Sequence, residues 1–483
     1  MGLKLVITGI FVLIIIVIIR ALMLKPKKAS IREKAQIDID VQGAAEKLSE
    51  MVKCKTISSR DPSKTDYNEF KKLQDYMDSA FPLVHLNLKK ETVNGYGLLY
   101  TWKGKEEGKK PILLMSHMDV VAIEDGTEKD WEYPPFSGAI EEGFVWGRGT
   151  LDIKIQVLSI LEAVETLLKE GYEPDRDIYL AFGFDEEVGG YQGSTYIAQL
   201  LKERNIEFDF VLDEGGCVTE GGIEGIFKPI AVVGIGEKGY ADIEFVAESG
   251  GGHASMPPRH TAVGEISRAI VDLEKRPMKT KITEPVKEML RYVGPEMSFL
   301  NRIIIGNLWL FGGIFKKIFA ANSSGNALLR TTAAPTIIEG SNSPNVLAQK
   351  SRAVVNFRIL PGETSSELIE HIERTIHNPN IKIVPQRVDE PSNISSTRSK
   401  GYKIIEETIY QVFIDSLTTP YLSLGSTDAR KYQIVCDNIY RFSPYQISTE
   451  DLSRMHGTNE RISFDNIEKG IDFFIQLIIN STN

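Results

Sequence analysis

The sequence has few cysteines, no excess of positive charge and, outside one segment, no long apolar run. Cys54, Cys217 and Cys436 are too few and too scattered for a disulfide framework or a cysteine zinc cluster. With 56 Lys and Arg residues against 66 Asp and Glu residues, the formal charge is -10, which argues against a broad nucleic-acid-binding surface. Any bound metal must therefore be held by histidines and carboxylates.

The remaining composition is that of an ordinary folded protein. The 483 residues are 42% hydrophobic and 25% charged, and no repeat or low-complexity tract interrupts them. A chain of this length corresponds to about three domain equivalents and can bury a large core. These values exclude a disordered, collagenous or multi-span membrane chain.

One apolar segment lies at the N-terminus. Leu5 to Ile19 carries no charge, and the apolar stretch continues past Arg20 to Leu24, which gives about the 20 residues that a membrane helix needs. A cleaved signal peptide is the alternative, but no small-x-small cleavage site follows. We therefore predict an uncleaved single-pass anchor over residues 1–24 and a polar tether over residues 25–40. The basic residues after the span, taken alone, place the globular part in the cytoplasm.

Strand-like and helical segments alternate between residues 41 and 238. Apolar runs at 111–115, 177–184 and 208–212 predict strands, and apolar residues from Ile153 to Leu168 recur at helical spacing. This alternation predicts an α/β domain with a mostly parallel sheet.

The pattern changes after residue 238. Several antiparallel-type strands and two helices predict a separate α+β domain over residues 239–390, inserted into the first domain, which residues 391–483 complete. Within the insert, Met297 to Ala320 is rich in Phe, Leu, Ile and Trp. The favoured interpretation is a helix packed in the insert. The alternative is an apolar surface that contacts a hydrophobic substrate or the bilayer.

Titratable groups gather at four predicted strand ends and turns. These groups are His117 with Asp119, then Asp152, then Asp185, Glu186 and Glu187, and finally Asp213 and Glu214. Ligands of open α/β sheets bind beyond the carboxyl ends of the strands, so these groups should converge. Crowded carboxylates repel one another unless positive charge offsets them. A divalent metal, or a pair of metals sharing a bridging carboxylate, supplies that charge.

Six ordered motifs resemble those of the co-catalytic zinc family of aminoacylases and glutamate carboxypeptidases. The motifs are His117–Asp119, Gly147–Lys154, Asp185–Glu187, Asp213–Gly216, Gly252–Ser255 and Met455–Gly457. Within that family the chain is similar to the branch of vacuolar carboxypeptidase S and N-fatty-acyl-amino-acid synthase/hydrolase, from about residue 45 to the C-terminus. The resemblance implies a zinc-peptidase catalytic domain interrupted by a ferredoxin-like lid domain.

The resemblance also implies residue roles. The ligands of two Zn²⁺, or of another divalent pair, would be His117 and Asp213 for one ion and Glu187 and His456 for the other, with Asp152 bridging them. The remaining roles would be Asp119 as the residue that orients His117, Glu186 as general base, His253 as oxyanion stabiliser, Arg358 as clamp for the substrate carboxylate, and Asn326, Gly425 and Ser426 as pocket residues. Arg330 and Arg430 are alternative clamps.

The expected function is that of a membrane-anchored dizinc amidohydrolase or carboxypeptidase. It would cleave the amide bond next to a free carboxylate in peptides or N-acyl amino acids. One alternative is the synthase/hydrolase activity on fatty-acyl conjugates at the same site, and another is a non-catalytic, membrane-tethered binding protein, which would not need Glu186. The expected partners are the substrate, the membrane and a second copy through the lid, without nucleic acid. Relatives with such an anchor face away from the cytosol, which favours an extracytoplasmic catalytic domain.

Overall fold

The computed structural model describes residues 1–26, 32–220 and 225–482. Two compact units divide the chain. The main unit comprises Pro26–Ile235, Ser395–Tyr421 and Thr427–Asn483, and the inserted unit comprises Met1–Lys25, Gly236–Ile394 and Leu422–Ser426. Part of the predicted tether, residues 27–31, lies outside the described residues.

The helices and strands of the described residues are numbered in chain order. The helices are α1 (Gly2–Met23), α2 (Val41–Val52), α3 (Tyr67–Ala80), α4 (Pro82–Asn87), α5 (Lys154–Lys169), α6 (Ser194–Glu203), α7 (Ala262–Lys275), α8 (Glu284–Val293), α9 (Phe299–Gly306), α10 (Leu308–Phe319), α11 (Ser323–Leu329), α12 (Ser365–Ile376), α13 (Lys400–Val412), α14 (Thr449–Leu452) and α15 (Phe464–Thr482). The strands are β1 (Lys89–Val93), β2 (Gly97–Trp102), β3 (Ile112–His117), β4 (Ile140–Glu141), β5 (Phe144–Trp146), β6 (Ile178–Gly183), β7 (Phe210–Asp213), β8 (Val218–Thr219), β9 (Ile230–Glu237), β10 (Gly239–Glu248), β11 (Gly252–His253), β12 (Thr332–Glu339), β13 (Val346–Leu347), β14 (Lys350–Ile359), β15 (Ile381–Asp389), β16 (Leu417–Ser423), β17 (Ile439–Arg441), β18 (Gln446–Ile447) and β19 (Arg461–Ser463).

The large sheet is mixed, so the prediction of a mostly parallel sheet is wrong. Its strand order is β1-β2-β6-β3-β7-β17-β9-β8-β18, with β16 beside β9. The centre is parallel, because β3 pairs in parallel with β6 and β7, and β7 with β17. Antiparallel pairs lie on both sides of this centre: β1 pairs with β2, β2 with β6, and β9 with β17 and β8. The edge pair β8–β18 is parallel. The consecutive strands β1 and β2, and likewise β8 and β9, have no helical crossover between them among the described residues, and strands joined in this way pair antiparallel.

The parallel centre brings the chemistry to one edge of the sheet. Every residue of β3, β6 and β7 is buried, as expected for parallel strands covered on both faces. Their register places His117 beside Gly183 and Leu114 beside Leu212. The loops that follow these three strands therefore begin at the same edge.

The inserted unit contains a second, four-stranded antiparallel sheet with the order β12-β14-β10-β15. With α7 and α12 it forms a β-α-β-β-α-β arrangement, the ferredoxin-like topology. Alternate residues of β10, such as Ile243 and Phe245, form a core with Ile266 of α7 and Ile372 of α12. Four further helices, α8 to α11, lie between α7 and β12 in the chain.

The N-terminal helix α1 is long and apolar enough to cross a membrane, by length and composition. Ala21 is its one buried residue. The apolar segment Met297 to Ala320 forms two helices, α9 and α10. Contrary to the favoured interpretation of a packed helix, α9 has no buried residue and α10 has one, Phe315.

Candidate metal centre

His117, the last residue of β3, is almost fully buried. Its Nδ1 lies 3.0 Å from the carbonyl oxygen of Asp119 and 3.3 Å from the Oδ1 atom of that residue. The second ring nitrogen, Nε2, lies 3.2 Å from Asp152 Oδ1. The contacts of Nδ1 fix the orientation of the ring and leave Nε2 facing a group of carboxylates.

Asp119 also fixes the loop that carries the Glu186–Glu187 pair. Its Oδ1 accepts a hydrogen bond from the backbone N–H of Glu186, and its Oδ2 accepts one from that of Glu187, both at 3.1 Å. Ser58 Oγ donates a third hydrogen bond to Asp119 at 2.6 Å. Asp119 is fully buried, so one carboxylate positions two of the loops that carry the candidate site.

The loop that carries Asp152 turns on two glycines with positive φ, Gly147 and Gly149. A Cβ atom on Gly147 would lie 2.8 Å from the carbonyl oxygen of Pro135, so a larger residue is excluded there. Buried Glu460 holds the turn from the other side. Its Oε1 accepts hydrogen bonds from the backbone N–H groups of Gly149, Leu151 and Asp152, at 3.0, 2.7 and 3.2 Å.

A buried ion pair joins this turn to the loop that carries His456. Arg148 Nη1 donates to Glu460 Oε2 at 2.6 Å, and its Nη2 donates to the carbonyl oxygen of Gly457 at 3.0 Å. Both side chains of the pair are at most 2% exposed. Arg148 and Glu460 therefore fix the two loops relative to each other, and each charge compensates the other in the interior.

Asp152 lies between two imidazoles. Its Oδ1 is 3.2 Å from His117 Nε2, and its Oδ2 is 2.9 Å from His456 Nε2. The two oxygens of one carboxylate thus face two different histidines. This is the arrangement that a carboxylate shared by two metal ions requires, because such a pair lies ~3.5–4 Å apart.

Three glutamates complete the cluster. Glu187 Oε1 lies 3.4 Å from His456 Nε2, whereas Glu214 Oε1 and Glu186 Oε2 lie 3.4 and 3.9 Å from His117 Nε2. Candidate ligand atoms within 4.8 Å of one another form two groups. These groups are His117 with Glu186 and Glu214, and His117 with Asp152 and Glu187.

Asp213, which the sequence analysis assigned to the first ion, belongs to neither group of candidate ligands. Its Oδ2 accepts a hydrogen bond from the backbone N–H of Ala429 at 2.8 Å, and its Oδ1 accepts one from that of Glu214 at 2.9 Å. Successive side chains at a strand end point to different sides, and here Glu214 faces His117. The grouping therefore places Glu214 beside His117, whereas Asp213 and His456 lie in neither group, and the ligand roles of these residues stay predictions.

The carboxylates and the imidazoles control each other's ionisation. Burial raises the pKa of Glu186 well above its ordinary value and that of Glu214 to about 7. Burial would also raise the pKa of Asp152, but the two imidazoles outweigh it and hold that pKa well below its ordinary value. Hydrogen bonds to Asp152 and Glu187 raise the pKa of His456 to about 10. The cluster therefore needs positive charge, which protons on the imidazoles supply in the metal-free chain.

The donor set fits zinc or a similar divalent ion. Imidazole nitrogens and carboxylate oxygens are established zinc ligands, and no thiolate lies among the candidate groups of the described residues. Glu187 Oε1 is buried and makes no well-formed hydrogen bond among the described residues, since its contact with His456 Nε2 is long at 3.4 Å. A buried polar atom without a partner is costly, and a cation beside it would remove that cost.

Comparison with known proteins agrees with this geometry. The model of peptidase family M20/M25/M40 matches residues 113–480. The chain belongs to this peptidase family. It is 39% identical over 442 residues to "Probable carboxypeptidase S-like 2" of Dictyostelium discoideum, covering 90% of this chain and 85% of that protein. It is 36% identical over 430 residues to N-fatty-acyl-amino acid synthase/hydrolase PM20D1 of Xenopus tropicalis, covering 88% and 83%.

Solved structures show the same fold. An M20 family metallo-carboxypeptidase from Sulfolobus solfataricus superposes with a TM-score of 0.68 at 19% identity, covering 90% of this chain and 98% of that one. Family and fold together identify the chain as a metal-dependent enzyme of the peptidase and amidohydrolase class.

The residues that the M20 resemblance connects with substrate binding lie in the inserted unit. His253 is exposed, and its Nδ1 lies 2.7 Å from Ser255 Oγ. Asn326 lies in α11 and is partly buried, Gly425 is exposed, and Ser426 Oγ is buried without a hydrogen-bond partner among the described residues. None of these residues belongs to a candidate metal group.

Arg358 has a well-defined position on β14 of the inserted unit. It pairs across the sheet with Tyr240 of β10, and its guanidinium carbon lies 4.7 Å from the centre of that ring. Arg358 Nε donates to Asn356 Oδ1 at 3.3 Å. Burial and the charge of Arg358 lower the pKa of nearby Lys238 to about 7. An anion bound by Arg358 would relieve this repulsion between two cations.

Two residues at the candidate site could not be singled out from the sequence. Glu214 was seen as part of the Asp213–Gly216 motif but was not given a role. Glu460 was not singled out, although it lies four residues after His456. The available signal was an acidic residue close to a predicted ligand in the chain, which is too common to be informative by itself.

Proposed function

We propose that this chain is a dizinc amidohydrolase that cleaves the amide bond next to a free carboxylate, in peptides or in N-acyl amino acids. The observation that carries the proposal is the position of Asp152, whose two carboxylate oxygens face His117 and His456. Glu186 lies beside this group. Relatives named carboxypeptidase S-like and N-fatty-acyl-amino acid synthase/hydrolase support the two substrate classes.

Each of the two proposed metal subsites draws on one imidazole. His117 and Glu214 would hold one ion, with Asp213 as the alternative ligand, whereas His456 and Glu187 would hold the other. Asp152 would bridge them. The distances of 2.9 to 3.4 Å between these nitrogen and oxygen atoms support this division, because each imidazole already faces its own glutamate.

Glu186 is the proposed general base. Two bound divalent ions would polarise the scissile carbonyl and lower the pKa of a water molecule. Glu186 would accept the proton of the attacking water and later deliver it to the leaving amine. Burial raises the pKa of Glu186 in the metal-free chain, and two bound cations would lower it again, which would leave the carboxylate free to accept a proton. Asp119 fixes the backbone of Glu186, so the base stays in place between these two steps.

The inserted unit is the proposed lid. Arg358 would pair with the substrate carboxylate as a planar, bidentate donor. His253 would stabilise the negative charge that develops on the carbonyl oxygen, and Asn326, Gly425 and Ser426 would line the pocket. A homodimer through this unit and an extracytoplasmic location of the catalytic domain are part of the same proposal. Helix α1 is its membrane anchor, supported by its length and apolar composition.

A substrate panel tests this function. The zinc-loaded full chain in detergent is assayed against N-blocked dipeptides, short-chain and long-chain N-acyl amino acids, and the C-terminal amide of each. We expect hydrolysis of the free acids and about 10²-fold lower kcat/KM for the amides, because an amidated substrate leaves the clamp without its charged partner. Equal rates for acids and amides would contradict the proposal. Adding free fatty acid and amino acid tests the synthase direction.

A further inference from the structure

Within the inserted unit, polar side chains of α9 and of the turn before α10 bond to the end of helix α1. Asn307 Nδ2 donates a hydrogen bond to the carbonyl oxygen of Val17 at 3.0 Å. Arg302 donates from Nε and Nη2 to the carbonyl oxygen of Ala21, at 3.3 and 3.2 Å. Asn307 is fully buried although it lies between two apolar helices. These bonds give α9 and α10 a defined contact with the helix that is the candidate membrane span.

A glycine allows the two helices to approach closely. A Cβ atom on Gly306 would lie 3.2 Å from the carbonyl oxygen of Arg20 and 3.3 Å from the nitrogen of Ala21. The guanidinium of Arg20 donates from Nε to the carbonyl oxygen of Gly306 at 3.0 Å. Small residues that let backbones approach are typical of helix contacts in membranes.

The position of this contact along α1 defines a depth. The 22 residues of α1 extend about 33 Å at 1.5 Å per residue, close to the ~30 Å of a hydrocarbon core. The contact lies between Val17 and Leu24, the part of the helix whose residues are not all exposed. It therefore covers about the last 10 Å of the span. If α1 crosses a bilayer, α9 and the start of α10 lie near one surface of that bilayer, at the level of its interfacial layer.

The surface of α9 and α10 has the chemistry of that layer. Leu310, Ile314 and Ile318 follow each other at helical spacing on α10 and are exposed, together with Leu300 and Trp309. Folded proteins in water rarely expose so many large apolar side chains in one short segment. Exposed Trp and aliphatic residues on one helix face are typical of helices that lie in a membrane interface.

The charge of the segment agrees with a lipid surface. The chain has no acidic residue between Glu296 and Glu339, although its net charge is -10. Arg302, Lys316 and Lys317 are the basic residues of α9 and α10. Basic residues beside an apolar face add attraction to anionic headgroups.

We propose that α9 and α10 lie in the interfacial layer of the same phospholipid bilayer that α1 spans. The inserted unit, and not α1 alone, is then held at the membrane. This proposal rests on the proposed anchor and adds a second contact to it. It does not depend on the metal chemistry of the main unit.

Trp309 provides the test, because Trp102, Trp131 and Trp146 are buried. The full chain is reconstituted in vesicles of phosphatidylcholine and phosphatidylglycerol that carry bromine at defined acyl positions. We expect blue-shifted emission that is quenched more by bromine near the headgroups than by bromine near the bilayer centre. The Trp309→Phe chain should lack this quenched component. Emission from Trp309 that is red-shifted and unquenched, in chains that float with the vesicles, would overturn the proposal.

A matched glycine pair tests the helix contact. Gly306→Leu places a side chain against the backbone of α1, whereas Gly313→Leu on α10 has open space around its Cβ. We expect Gly306→Leu to lose most of the Trp309 quenching and Gly313→Leu to keep it. Equal quenching in both variants would contradict the contact between α1 and α9. Vesicle flotation tests the anchor itself: a chain that does not float with the vesicles overturns both the anchor and this proposal. Hydrolysis in detergent tests the catalytic proposal independently of the membrane.

Discussion

The cluster in the main unit and the predicted substrate residues in the inserted unit are built in different ways. In the cluster, buried Asp119 and Glu460 fix the backbone of the loops, so the functional side chains have defined positions. In the inserted unit, the exposed side chain of His253 bonds to its neighbour Ser255, and the Arg358 guanidinium lies over the ring of Tyr240. The difference is that the candidate ligands are held by buried groups of one unit, whereas the predicted substrate residues have local contacts that do not reveal a role.

The largest expected effect belongs to the general base. Glu186→Gln should keep the metal content and lose about 10²–10⁴-fold in kcat, because an amide cannot accept the proton. The measurement combines kcat with metal analysis of the same sample. Glu187→Gln is the matched control, since it should lower metal content first. Near-normal turnover of the Glu186→Gln enzyme would assign the base to another residue.

The next effect tests the clamp in the inserted unit. Arg358→Ala should lower kcat/KM for the free acid about 10²-fold and change that for the amide little, because only the acid pairs with the guanidinium. Arg358→Lys should restore part of the loss, since an ammonium supplies charge without the bidentate fork. Equal losses for acid and amide would make Arg330 or Arg430 the better candidate.

A smaller expected effect is a change in metal content, which distinguishes between the adjacent candidate ligands Glu214 and Asp213. Glu214→Gln should lower metal content to about one ion per chain, whereas Asp213→Asn should retain more metal, because Asp213 is bonded to the backbone of Ala429. Metal analysis of the two purified variants gives the answer. The opposite result would return the ligand role to Asp213.

A positioning effect is expected for the pair that joins the two loops. Glu460→Gln should cost roughly 10–100-fold in metal affinity or activity, as is typical for partners that orient ligands. Glu450→Gln is the control, because Glu450 is exposed and pairs with Arg454 on the surface. A titration with zinc should show weaker binding only for Glu460→Gln. Unchanged affinity would limit Glu460 to a purely structural role.

The pH dependence of metal binding gives the smallest expected effect. In the metal-free chain burial raises the pKa of Glu214 to about 7, and the contacts with Asp152 and Glu187 raise that of His456 to about 10, so at neutral pH Glu214 is partly protonated and His456 carries a proton. Metal binding must release these protons, and zinc affinity should therefore rise as pH rises from 6 to 8. Calorimetry in buffers of different ionisation enthalpy measures the released protons. Binding without proton release would contradict the ionisation described for the cluster.

Much of the architecture could be predicted from apolar periodicity. The strands before His117 and Glu186 lie where the apolar runs at 111–115 and 177–184 predict them. The mixed character of the large sheet could not be predicted, because apolar runs specify a strand but not the direction of its neighbours. The exposure of α9 and α10 was missed because an apolar run has the same sequence signal in a core as at a lipid surface.

The candidate site was predictable to the level of the motif but not to that of the single atom. His117 and His456 both contact Asp152, and His456 also contacts Glu187, whereas the assignment of these four residues as metal ligands stays a prediction. The choice between Asp213 and Glu214 depends on which side each residue faces at the end of β7. The role of Glu460 depends on contacts with residues about 310 positions earlier in the chain, and no local pattern encodes such a contact.

The most direct test of the central claim is the metal content of the active enzyme. The purified full chain, loaded with zinc and freed of excess metal, should contain two ions per chain, and Asp152→Asn should lose metal and activity together, because both subsites share that carboxylate. Elemental analysis and hydrolysis of an N-acyl amino acid are measured on the same samples. Two ions in the native chain and a parallel loss in the variant are the predicted result. Full activity with one ion or none per chain would contradict the account.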